Sequence, residues 1–182
     1  INAGGTLTIT NTNFVAASGG IVFLQPVSQV AIAVSNVDVT TTSTGWQVVG
    51  TATFTQVTAS FADFRVSGAG MSHSFLHHSG ATVTDSVFTF ARVAFDGWSY
   101  AVFFNCDVTR SQIYFDASRL GASEVPKYAF VIQLSVLDTD VTMKDTALDA
   151  KDYTIFIAHS TRTTTNSRFT FTDCVCGGDP SQ

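Results

Sequence analysis

One short pattern recurs along the whole chain: a small residue, any residue, then an apolar one. Recurrence of this kind restricts a chain to architectures that stack one unit on the next. The pattern ends at Phe14, Val37, Phe61, Phe88, Ile113, Val141 and Phe169, at spacings of 23 to 28 residues. Two residues before these anchors stand Thr12, Ser35, Ala59, Ser86, Ser111, Thr139 and Ser167, all of them small. Five before come Ile9, Ile32, Gln56, Val83, Val108, Val136 and Thr164, and seven before come Leu7, Val30, Phe54, Ala81, Cys106, Leu134 and Arg162. Offsets of equal parity share one strand face, so these mainly apolar columns should point inward. The small polar column between them (Thr8, Ala31, Thr55, Thr82, Asp107, Ser135 and Thr163) should point out. Arg162 in an inward column suggests a core that narrows toward the C-terminus.

A second strand shows itself thirteen residues before the next anchor, at Leu24, Val48, Phe75, Tyr100, Tyr128 and Phe156. A third apolar column lies two residues after the anchor. Asp63 interrupts it, with Phe64 one step late, and predicts a bulge there. Strands at fixed phase, one coil apart, must pair in parallel at about 4.8 Å, with like residues forming ladders. The predicted fold is therefore all-β: a right-handed parallel β-helix (β-solenoid) of about 6–7 coils, with residues 1–182 forming a single segment. A β-sandwich would also show short strands and turns, but it does not require seven aligned rows. Neither terminus reads as a capping helix. A cut solenoid exposes strand edges, so the expectation is a piece of a longer protein, with neighbouring solenoid segments or copies of itself at the ends.

Composition supports this reading and excludes others. Only 13% of residues are charged, against roughly 25% in an average domain. With 45% hydrophobic content, that argues against disorder. A net charge of −5 gives no pull toward nucleic acid, and no apolar run is long enough for a membrane span in this segment. Cys106, Cys174 and Cys176 are too few for a disulfide framework and poorly spaced for a metal site.

The strongest catalytic candidates lie three residues before the anchors, in the column Asn11, Val34, Thr58, Asp85, Arg110, Asp138 and Asn166. Asp85, Arg110 and Asp138 on successive coils could form an acid–base site with an arginine. A surface ladder of alternating charge predicts the same order and explains it more cheaply. His73, His77, His78 and His159 form the histidine group. His73 and His77 share parity with Phe75, which puts them on one strand face. They are the metal candidates, set against a structural role lining the wall. Trp46 and Trp98 align in one column and are the ligand-binding candidates: pointing outward they would stack on sugar rings, pointing inward they form a core ladder. The Thr-x-Thr runs, such as Thr6, Thr8 and Thr10, raise ice binding, although Ala31, Asp107 and Ser135 interrupt the array. No motif calls for a cofactor.

The runs Leu7 to Phe14 (LTITNTNF) and Gly19 to Leu24 (GGIVFL), with Ala31 to Val37 and Thr82 to Phe88, resemble the coils of β-helical surface proteins. They are most similar to the trypanosome dispersed gene family. Bacterial autotransporter passengers and polymorphic membrane proteins share the Gly-Gly-Ile texture. The resemblance implies a large extracellular or cell-surface protein acting in adhesion, with pectin lyase-like coils and no catalytic residues to transfer. The leading expectation is thus a non-enzymatic surface segment, an adhesin or structural rod, whose partner is a glycan or a host or cell-surface protein. The rival is a carbohydrate-active β-helix of lyase, hydrolase or glycan-binding type. The third reading is ice binding.

Overall fold

The computed structural model describes residues 4–17, 19–49, 52–77, 80–121, 126–157 and 162–177. Over these residues the chain is a parallel β-solenoid of about six turns. The strands form sheets of 11, 6 and 6 members, and every ladder between successive coils is parallel.

Two corners in each coil turn on a residue in the left-handed region. One set comprises Gln29, Gln56, Asp85, Arg110, Asp138 and Asn166. The other comprises Asn11, Asn36, Asp63, Arg92, Ala117, Asp145 and Asp173. All have φ between 46° and 54°. Asn and Asp tolerate this region because their short polar side chains bond locally, whereas other L-residues pay about 1–2 kcal/mol. Stacking helps hold the corners. Asn36 Nδ2 donates to Asn11 Oδ1 at 2.8 Å, and Gln29 Nε2 donates to Gln56 Oε1 at 3.1 Å.

Each corner is followed by the same pattern: a residue that turns in, one that points out, then an apolar one. Asp85-Ser86-Val87-Phe88 shows it at the first corner, and Asn11-Thr12-Asn13-Phe14 at the second. This corrects the alignment drawn from the sequence. Phe88, Ile113, Val141 and Phe169 do share a row, but Leu7, Ile32 and Ala59 complete it, rather than Phe14, Val37 and Phe61. Phe14 lies beyond the second corner, in register with Val39. Asp63 marks no bulge: it is the corner residue of its coil, paralleled by Asn36 and Arg92. Coil lengths run from 25 to 29 residues.

The hydroxyl column has a structural role. The buried Ser86, Ser111 and Thr139 form a ladder with Ser167. Ser111 Oγ donates to the Thr109 carbonyl at 2.8 Å and accepts the Ser86 N–H at 3.1 Å; the Ser111 N–H reaches Thr139 Oγ1 at 3.3 Å. These contacts satisfy backbone groups that the corner removes from the sheet ladder.

Inside, rings stack from coil to coil. Phe61, Phe90 and Phe115 lie at centroid distances of 4.9 and 4.4 Å, nearly parallel. Each fully buried Phe contributes roughly 1.5–3 kcal/mol. The end coils are less covered: Leu7, Ile9, Phe14, Ile155, Ile157 and Phe169 are only partly buried, and Arg162 is exposed.

The third sheet contains Ile21–Phe23, Thr44–Val48, His73–His77, Tyr100–Phe104, Tyr128–Ile132 and Tyr153–Ile157. It bends near its start, where consecutive residues are buried: Ser74 and Phe75, Ala101 and Val102, Ala129 and Phe130. The inner side of this bend is tight. A Cβ at Gly45 would collide with the Val66 side chain and stand 2.9 Å from the Ser74 carbonyl oxygen. The bend reverses the parity of the residues before it, which decides where the site candidates point.

Candidate binding face

Asp85, Arg110 and Asp138 do stack at the first corner, but their column continues down through Gln56 and Gln29, not Thr58, Val34 and Asn11. Arg110 grips Asp85 with Nε–Oδ1 at 2.7 Å and Nη2–Oδ2 at 2.9 Å, both side chains substantially exposed. The hydrogen bond from Arg110 holds the Asp85 carboxyl below its usual range, and Asp85, with Asp138 behind it, raises the guanidinium. A carboxylate held ionised this way is a poor proton donor. The same forked pairing recurs between Arg92 and Asp63 and between Arg168 and Asp140. The alternating charges thus serve as a repeated rung-to-rung tie.

Trp46 and Trp98 do not share a column. Trp46 is in register with Phe75 and is fully buried, tilted against Phe23 at 4.8 Å and edge-on to Phe61 at 4.9 Å. No surface ligand can reach it. Trp98 lies in the turn before Tyr100–Phe104, with 63% of its surface exposed.

His73 and His77 also separate, because the bend falls between them. His77 points into the core, with ring contacts to Phe54, Phe75, Phe88 and Phe104 at 5.0 to 5.6 Å, and neither ring nitrogen has a hydrogen-bond partner among the described residues. Burial lowers its pKa to about 3. It takes the place of Val48 and Phe104 in its row. His73 points outward, stacks on Tyr100 at 5.0 Å and contacts Ser72 Oγ through Nδ1 at 2.8 Å. The two cannot share a metal ion, and among the described residues no group of three or more His, Cys, Asp or Glu is arranged to hold one. His78 and His159 lie outside the described residues. The three cysteines are free thiols. Cys106 is buried in the core, which raises its pKa, and Cys174 Sγ donates to the Met143 carbonyl at 3.3 Å.

The outer face of the third sheet carries two rows of mainly aromatic and apolar residues. His73, Tyr100, Tyr128 and Tyr153 form one row along the solenoid axis. Successive centroids are 5.0, 4.9 and 5.8 Å apart, with ring planes within 12° of parallel. A second outer row, Leu76, Phe103, Val131 and Phe156, lies against it, with Phe103 stacked 4.2 Å from Tyr100. Tyr153 exposes 56% of its surface. A hollow of about 270 Å³ opens here, lined by Tyr100, Tyr128, Val131, Gln133 and Phe156. The sequence carried one signal for this face: tyrosine recurs at one position in three successive coils, 100, 128 and 153, where a sealed core row would use Phe, because a phenol keeps its hydroxyl wet.

No family model matches this chain, and no curated protein or solved structure matches it. Fold and site together define a parallel β-solenoid with an aromatic outer face. Among the described residues no helix is long and apolar enough to cross a membrane.

Proposed function

We propose that this chain is a non-enzymatic segment of an extracellular or cell-surface solenoid acting in adhesion, and that its adhesive face is the aromatic row, which holds a glycan. One observation carries the reading: the tyrosines at 100, 128 and 153 stack one per coil on the outside of the rod, beside an open hollow. Stacked on one another, the rings offer a sugar their outer edges and hydroxyl tips, and Tyr153 at the end of the row is the most open. Coils repeat at about 4.8 Å, close to the length of one pyranose unit in an extended polysaccharide, so a row of phenols matches a row of sugars. Of the two carboxylates proposed for catalysis, Asp85 is committed to a forked pair with Arg110, which favours binding over cleavage.

The test is retention on an array of neutral and acidic glycans, with Tyr153→Ala as the variant because that side chain is exposed. The expected result is saturable retention that weakens in the variant. Retention unchanged by Tyr153→Ala, or no retention at all, would remove the reading. Turnover of a polysaccharide abolished by Asp138→Ala would replace it with the enzymatic one.

A further inference from the structure

Beside the tyrosine row lies a second hollow of about 190 Å³, lined by Trp98, Lys127, Lys151 and Asp152. We propose that it is a subsite for a carboxylate-bearing sugar, such as a uronic acid unit, with Trp98 stacking on the sugar ring and Lys151 pairing with its carboxylate. The proposal rests on the glycan reading above and adds the class of sugar.

The hollow is built from the same turn in three successive coils, tied together through the backbone. The Trp98 N–H donates to the Met71 carbonyl at 2.6 Å, and the Lys127 N–H donates to the Trp98 carbonyl at 3.0 Å. The Lys151 and Asp152 N–H groups reach the Pro126 and Lys127 carbonyls at 2.8 and 3.0 Å. These bonds hold the backbone that carries Trp98, although the indole itself is 63% exposed. The indole stands in water beside two lysines, where its ring can stack on the apolar face of a sugar.

The charges give the partner its sign. Lys127 is already engaged: its Nζ is 3.5 Å from an Asp152 oxygen and 5.4 Å from the centroid of the Tyr128 ring. Tyr128 and Asp152 hold its ammonium more firmly protonated than usual. Lys151 has no ion pair with any described residue. Two ammonium groups therefore face one carboxylate in a chain whose net charge is −5. A neutral sugar would use Trp98 and leave Lys151 idle; a sugar bearing one carboxylate uses both. The Asp152 oxygens remain as acceptors for sugar hydroxyls.

The experiment is calorimetric titration of the whole chain with an oligogalacturonate and with its methyl ester, which removes the charge and keeps the ring. The acid should bind roughly two- to fivefold more tightly than the ester, the value of one exposed charge contact, since stacking is common to both ligands. That advantage should shrink as salt rises, because exposed charges are screened. Lys151→Gln should bring the acid down to the affinity of the ester, and Trp98→Ala should weaken both. Equal binding of acid and ester, with Tyr153→Ala weakening each, overturns this subsite and leaves the glycan reading standing. If neither ligand binds and the glycan array is also blank, both fall. Circular dichroism of each variant separates these outcomes from a failure to fold.

Discussion

Replacing His77 with Phe should make the protein markedly less sensitive to acid. His77 is fully buried among four aromatic rings with both ring nitrogens unpartnered, and its pKa is lowered from 6.5 to about 3 by burial. The unfolded chain takes up this proton near pH 6.5, the folded chain only near pH 3. Stability is therefore full above pH 6.5 and is lost as pH falls through the window between the two values. At pH 4 the loss is about 3 kcal/mol, at 1.36 kcal/mol per pH unit across most of the window. For a chain of this size that corresponds to roughly 10 °C in Tm. Phe suits the site because its row also holds Phe23 and Phe104. Removing the unpaired nitrogens should add roughly 1–3 kcal/mol at neutral pH as well. The ionised Asp63 and Asp85, whose pKa values are lowered by their arginine partners, also lose their pairing in acid, but they are common to both proteins. The assay is urea or thermal unfolding of wild type and variant from pH 7.5 to 4. Identical pH dependence in the two would refute the claim that His77 sits neutral and unpaired in the core.

Three other substitutions test the corners and the bend. Ser111→Ala removes the acceptor for the Ser86 N–H and should cost about 1–3 kcal/mol in urea unfolding. Ala117→Gly relieves a left-handed alanine at φ 46° and should raise stability by up to about 1 kcal/mol; a decrease would mean that the corner is not strained. Gly45→Ala places a Cβ against Val66 and should destabilise by about 1–3 kcal/mol, read as a lower Tm.

The fold was legible because a solenoid writes itself into the sequence as columns. Ser86, Ser111, Thr139 and Ser167 are close to identical in chemistry because each does the same work at the same corner. The register of the first three coils was not legible, for a related reason: both corners of every coil use a turning residue, one inward residue, one outward residue and an apolar one. Asn11 to Phe14 at one corner and Asp85 to Phe88 at the other therefore read alike. The outward direction of His73 could not be read from parity, because the buried pair Ser74 and Phe75 marks a bend that alternation does not encode. Trp46 and Trp98 could not be told apart by residue type, since one follows the bend and the other precedes its strand. Tyr100 and Tyr128 share a row as their column predicts, but Val48, Phe75 and Phe156 fall in other rows, and the place of the tyrosines on the outer face follows from the same bend.

The most direct test of the aromatic face uses the two tryptophans, one sealed in the core and one 63% exposed. In a Trp46→Phe variant, Trp98 is the only tryptophan, and its fluorescence reports the face alone. Titration with an oligosaccharide retained on the array should shift that emission to the blue and protect it from acrylamide, saturating at the same concentration as binding measured by calorimetry. Saturable binding with no change in Trp98 emission or quenching, and unweakened by Tyr153→Ala, would place the glycan elsewhere and contradict the account.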